Sequence, residues 1–340
     1  MENARTWMVA TLGPSSSHEE VVKKLHEAGV DVFRVNLSHG DSASHRRLIR
    51  TAAGTGAEVM VDLPGPKIRI EASSGELPLR LEAGEEVVFT SGEARPAGRR
   101  PVLAVSADVA WEELEPGARI LVDDGNLEFR VLEAAGDRAV AAAATGGVVW
   151  KKKGVAFDRE VVQAPPVLPA DRRLLEELRP EPFSYVAVSF ARNARCVEEL
   201  RPAAGQGRRL FAKIEDPAGV RNAEEITMAA DGVMVARGDL GVCLPLPALP
   251  VLQKRLIALA NYHRKPVIVA TQMLESMVEH LRPTRAEVTD VANAVFDGAD
   301  MLMLSAETAV GRHPLKAVEM LASIIRAAEE AVRTGLRFQL

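Results

Sequence analysis

With 340 residues, 47% of them hydrophobic, and a mean hydropathy near zero, the chain can bury a sizeable core, and one large domain carrying an insert is the first expectation. A net charge of -5 supplies no global basic field, which argues against nucleic-acid binding and leaves an anionic small molecule dependent on a local basic pocket. Two cysteines, Cys196 and Cys243, exclude a disulfide framework, and the absence of a signal-peptide layout or a membrane-length apolar run predicts a cytoplasmic protein with no membrane partner.

Residues 7–13 read as a strand, and Ser15 to Ser17 as N-caps of a helix that reaches about residue 28. Residues 31–38 form a second strand that puts Arg34, Asn36 and Ser38 on one face, with His39 and Gly40 directly after. A helix over Ser42–Ala53 leads to a third strand, Glu58–Asp62, ending in a carboxylate. The pattern then changes. From 67 to about 164, short alternating runs separated by Gly and Pro turns predict a small β-rich insert.

The strand-helix rhythm resumes near Pro169. Helices are expected over 171–178, 194–200, 218–230, Leu249–Tyr262, Arg285–Phe296 and Pro314–Arg333, and strands over 185–190, 210–215, Gly232–Ala236, 266–270 and Met301–Leu304. Eight strands with intervening helices are the pattern of an α/β chain folded as a (β/α)8 TIM barrel. Such a barrel takes about 250 residues, which leaves about 90 for the insert. The expected division is 1–66 and 165–340 for the barrel and 67–164 for an inserted small β-barrel lid. An open doubly wound sheet would want a Gly-rich phosphate turn, and Gly13-Pro14-Ser15 is not one.

Period-two alternation sends Lys213 and Glu215 from one face of the strand at 210–215, and the next strand ends at once in Arg237-Gly238-Asp239. Neighbouring strands would bring Glu215 beside Asp239, two oxygen donors suited to Mg2+ or Mn2+, with Lys213 facing the anion that the metal holds. The alternative is a set of ordinary rim ion pairs, which contribute little. In a closed barrel Arg34, Asn36, Ser38, Asp62, Lys213, Glu215, Asp239, Thr271 and Ser305 share one mouth. Arg34 and Lys213 suit phosphate oxygens, Thr271 and Ser305 a small organic acid, and catalysis by positioning and electrostatics fits better than a covalent route. His39 reads equally as a loop histidine, and the Lys151 to Lys153 triplet as a solvated run or as cations over phosphates.

The chain resembles the pyruvate kinase family in Thr11-Leu12-Gly13-Pro14, Arg34-Val35-Asn36-Leu37-Ser38-His39-Gly40, Gly65-Pro66-Lys67-Ile68-Arg69, Val122-Asp123-Asp124-Gly125, Lys152-Lys153-Gly154, Lys213-Ile214-Glu215 and the stretches 234–241, 270–277, 282–293 and 304–308. The resemblance implies an Mg2+- or Mn2+-dependent transfer of phosphoryl from phosphoenolpyruvate to ADP, giving pyruvate and ATP. It implies Glu215 and Asp239 as metal ligands and Lys213, Arg34, Thr271 and Ser305 as catalytic residues. Lys213, Gly238, Asp239 and Thr271 would meet phosphoenolpyruvate, and Arg34, His39, Arg69 and Lys153 the nucleotide.

Asn36, Ser38, Asp62 and Lys67 match the region where many members hold K+, and Lys67 with Leu63 is the pairing of members that work without it. An ammonium at Lys67, near the Asp62 carboxylate, is expected to replace that ion. The family usually continues into a C-terminal domain that binds sugar phosphates, so a chain stopping at Leu340 is expected to lack that regulation and to form a homodimer. Cys243, Ala306 and Leu63-Pro64 depart from the family's usual residues. Other readings are a metal-dependent pyruvate-enolate lyase or aldolase, and a non-catalytic metabolite-binding relative. Arg69 and Lys153 argue against the first, and Lys213, Glu215, Asp239 and Thr271 together against the second.

Overall fold

The computed structural model describes residues 6–96 and 98–335. Eight strands, β1 (Trp7–Leu12), β2 (Val32–Asn36), β3 (Glu58–Asp62), β4 (Tyr185–Val188), β5 (Arg209–Ile214), β6 (Gly232–Ala236), β7 (Val267–Ala270) and β8 (Met301–Leu304), pair in parallel with their neighbours in sequence. β8 returns to β1, with Met8 opposite Leu302, and closes the barrel. The apolar runs are nearly continuous because one face packs the interior and the other packs the helices.

Val9, Val32, Met60, Phe211, Met234, Ile268 and Met301 fill the interior, where Tyr185 meets Phe211 edge-to-face at 5.5 Å between ring centroids. A Cβ on Gly232 would lie 2.3 Å from the Phe211 ring, so glycine at the start of β6 makes room for that ring. Two residues further along the same inward faces the apolar layer gives way to charge: Val32 to Arg34, Met60 to Asp62, Phe211 to Lys213. Outside, the surrounding helices bury Leu25, Ile49, Leu175, Ile226, Ile257, Val291 and Leu321 against the strands.

Between β3 and β4 lies a sheet of seven strands that runs from Ile70–Ser73 to Val155–Phe157 in the chain. Its two ends meet at an Arg69–Gly154 bridge, and Ile70 N donates to Lys153 O at 2.9 Å while Val155 N donates to Ile68 O at 2.9 Å. The sheet is thereby nearly closed. It has a core of its own, in which Phe89 meets Phe129 edge-to-face at 5.1 Å and Trp111 is buried.

Several elements differ from the sequence reading. The first helix begins at Glu19, because Ser16 Oγ accepts from Gly13 N at 3.1 Å and closes a turn instead of capping. The helix expected over 194–200 ends at Glu198 and is followed by a separate short one, Arg201–Ala204, with Pro202 in its first turn, and the helix expected over 218–230 is broken in two at Asn222. Arg237–Cys243, directly after β6, is a short helix. Among the described residues no helix is long and apolar enough to cross a membrane.

Candidate active site

β5 carries Phe211 into the interior and Lys213 to its mouth, and Glu215 follows just past the strand. Lys213 is 8% and Glu215 2% exposed, with Nζ and Oε1 3.2 Å apart. Lys213 Nζ also donates to Ser189 Oγ at 2.8 Å and to Asp62 Oδ1 at 3.1 Å. Asp62, at the end of β3, takes a second cation on its other oxygen, Arg34 Nε at 2.6 Å, and Arg34 Nη1 donates to Thr11 Oγ1 at 3.1 Å. Ser189 in turn donates to Leu63 O at 2.6 Å.

Buried charges persist only where partners offset their lost hydration, and here two cations and two carboxylates do that for one another. Rim pairs would be solvated, and these are not. Burial alone would push the Asp62 carboxyl up, but Lys213 and Arg34 outweigh it and hold it below its ordinary value. Burial would lower the Lys213 ammonium, which Asp62 and Glu215 instead raise. Burial pushes Glu215 up to about 7, against Lys213 and with help from the charges of Asp239 and Asp62.

The second half of the mouth comes from β6 and β7. Arg237 is buried and turns away from the mouth, donating to Thr271 O at 2.6 Å and Gln272 O at 3.0 Å and pairing with Asp290. Thr271 and Gln272 have φ of 70° and 53°, a left-handed conformation unfavourable for a β-branched residue, and Arg237 fastens both. Gly238 N donates to Thr271 Oγ1 at 2.7 Å, and that hydroxyl donates to Ala270 O at 2.6 Å. At the end of β8 the Ser305 hydroxyl is buried without a partner among the described residues, while Ser305 N donates to Glu307 Oε2 at 2.7 Å. Such a hydroxyl has hydrogen-bonding capacity free for a ligand.

Asp239 lies in the first turn of the Arg237–Cys243 helix with a side chain 29% exposed. Its partner is Lys67, whose Nζ is 2.7 Å from Asp239 Oδ1 and 3.9 Å from Asp124 Oδ1. This corrects the expectation that placed the Lys67 ammonium at Asp62. Asp62 is enclosed by Arg34, Lys213 and Ser189, and Lys67, beyond Gly65 in the chain, reaches the other side of the mouth. Among the described residues no group of three or more His, Cys, Asp or Glu side chains is arranged to hold a metal. Glu215 and Asp239 remain as a pair of oxygen donors, the number that suits a hard cation retaining waters and taking substrate oxygens.

The remaining predicted residues lie nearer the rim. Asn36 Oδ1 accepts from Ser38 N at 3.1 Å, and Ser38 and His39 are exposed, with His45 Nε2 donating to His39 O at 2.7 Å. Arg69 donates to Lys152 O at 2.9 Å, so these two segments of the insert are bound together. Lys153 pairs with Asp123 at 2.6 Å and Lys152 with Glu71 at 2.5 Å. Sequence reasoning missed Ser189, Thr11 and Arg237. Ser189 was findable as the first polar residue after the apolar run of β4. Thr11 carries no such signal, and Arg237 carries it after β6 without revealing its role, because both roles depend on partners far away in sequence.

The model of the pyruvate kinase barrel domain matches residues 3–318. A pyruvate kinase of Mycobacterium tuberculosis is 43% identical over 333 residues, covering 95% of this chain and 70% of the relative. One from Clostridium perfringens is 39% identical, covering 96% of this chain and 70% of the relative. A crystal structure of a pyruvate kinase from Cryptosporidium parvum superposes with a TM-score of 0.90 at 33% identity, over 96% of this chain and 70% of that one.

Proposed function

The chain belongs to the pyruvate kinase family of phosphotransferases, and from that premise we propose that it transfers phosphoryl from phosphoenolpyruvate to ADP at the mouth bounded by Lys213, Glu215, Asp239 and Thr271. The observation that carries the reading is the Lys213 ammonium, buried yet held charged by two carboxylates. A cation fixed in a desolvated site needs no reorganisation when negative charge develops on a transferring phosphoryl group.

Glu215 and Asp239 would hold Mg2+ or Mn2+, which when bound supplies positive charge to phosphate oxygens. Arg34, pinned by Asp62 and Thr11, presents its charge in a fixed direction to the nucleotide side. Gly238 and Thr271 offer a backbone and a hydroxyl edge for the carboxylate of phosphoenolpyruvate, and the Ser305 hydroxyl is the candidate for passing a proton to the enolate. His39, Arg69 and Lys153 are assigned to the nucleotide phosphates, with the insert, 67–164, as a lid that brings the last two.

A coupled assay with phosphoenolpyruvate, ADP and Mg2+ tests the reading, and no pyruvate above background would sink it. We further propose that K+ is not required. Asp62 already carries Arg34 and Lys213, and Leu63 is buried and brings no side-chain oxygen. Rates in K+ and in tetramethylammonium should agree within about twofold, since a catalytic cation would be worth far more. Strong K+ activation would overturn this part alone.

A further inference from the structure

Lys67 spans the seam between barrel and insert. Upstream, Gly65 lies against the barrel at φ 66°, where a Cβ would come 2.6 Å from Ser189 Cβ. Downstream, Ile68 is already in the core of the insert. Between them the ammonium reaches Asp239 Oδ1 at 2.7 Å, and Gly154 leaves room for the lysine stem, since a Cβ there would sit 3.1 Å from Lys67 Cε. A second carboxylate, Asp124 Oδ1, lies 3.9 Å away on a turn of the insert with φ of 57° and 52° at Asp123 and Asp124.

An ammonium and a divalent cation cannot share one carboxylate oxygen at contact without strong repulsion. We propose that Lys67 is the resident counter-ion of Asp239, that an incoming divalent cation must displace it, and that the displaced ammonium passes to Asp124. The inference rests on the assignment of Asp239 as a metal ligand. Its consequence is linkage: filling the metal site removes one tie between insert and barrel, so metal loading and insert position bias each other. Arg221–Glu160, at 2.6 Å and exposed, also crosses the seam and is untouched by the exchange. The Lys67 side chain is 29% exposed, so the competition is moderate and reversible.

The test is Mn2+ affinity by electron paramagnetic resonance with the full chain and no substrate, which reads binding and not turnover. Lys67→Gln should bind Mn2+ about three- to tenfold more tightly, and Lys67→Arg, which keeps the charge, should return to wild type within about twofold. Asp124→Asn should weaken Mn2+ about twofold in the wild-type background and change nothing when combined with Lys67→Gln, the non-additivity expected of a shared partner. Unchanged or weaker affinity in Lys67→Gln overturns the inference alone, provided Asp239→Asn loses Mn2+ binding. If Asp239→Asn binds Mn2+ as wild type does, the metal assignment fails and the inference falls with it.

Discussion

Lys213, at the barrel mouth, and Lys153, on the insert, are both lysines paired with an aspartate, yet they lie in opposite physical regimes. The Lys213 side chain is 10% exposed and meets two carboxylates and a hydroxyl, whereas the Lys153 side chain is 43% exposed and meets one, Asp123, on its own insert. Burial removes solvent screening and fixes the first charge in place, while water screens the second and leaves it free to change partners. The charges of the barrel mouth are therefore fixed in advance by their partners, whereas those on the rim of the insert are free to exchange partners.

The largest effect should follow from breaking the mouth. Lys213→Met is expected to lower kcat at least about a hundredfold, because the lost cation acts on charge that develops during transfer. The fold should survive, since Asp62 keeps Arg34 and Ser189. Circular dichroism together with the coupled assay checks both halves, and a rate within tenfold of wild type would refute the assignment of Lys213.

Lys153→Ala should be milder and of a different kind. The ADP KM should rise roughly tenfold with kcat little changed, and the difference from wild type should shrink as salt is raised from 0.05 to 0.5 M, as expected of an exposed charge. An equal loss in kcat that ignores salt would place Lys153 in the same regime as Lys213 and erase the comparison.

The same contrast explains what could be read from sequence. The barrel was legible because apolar runs recur eight times with helical periods separating them, and Lys213, Glu215 and Asp239 stood out because charge appears where two of those runs stop. Period-two alternation put Lys213 and Glu215 together, as found at 3.2 Å. Lys67 was misplaced because alternation says nothing across a bend: Gly65 at φ 66° redirects the chain, and the target of the ammonium was decided by tertiary geometry. Arg237 looked like one more charge at the mouth, but its guanidinium is spent on the carbonyls of Thr271 and Gln272, a strained turn that no sequence pattern announces.

The smallest predicted effect concerns Asp171, which is buried, though less deeply than Asp62, and faces Gly65 N at 3.1 Å where Asp62 faces two cations. Burial pushes its carboxyl up to about 6, opposed by the Gly65 N–H and helped by the charge of Asp62. An unfolded aspartate titrates near pH 3.9, so between about pH 4 and pH 6 the folded state holds a proton that the unfolded state has released. Stability therefore falls as pH rises through that window and stays lowered above it. Asp171→Asn keeps an oxygen for Gly65 N–H and removes the charge, so at about pH 3, below both titrations, the variant should match wild type, and at pH 7.5 it should be more stable by roughly 1 kcal/mol, the full shift being discounted for water access. Urea midpoints at the two pH values decide it. A variant equally stable at both, or weaker only at pH 7.5, would show that the ionised carboxylate is supported as well as Asp62 is. The line between paired and unpaired buried charges would then have to be redrawn.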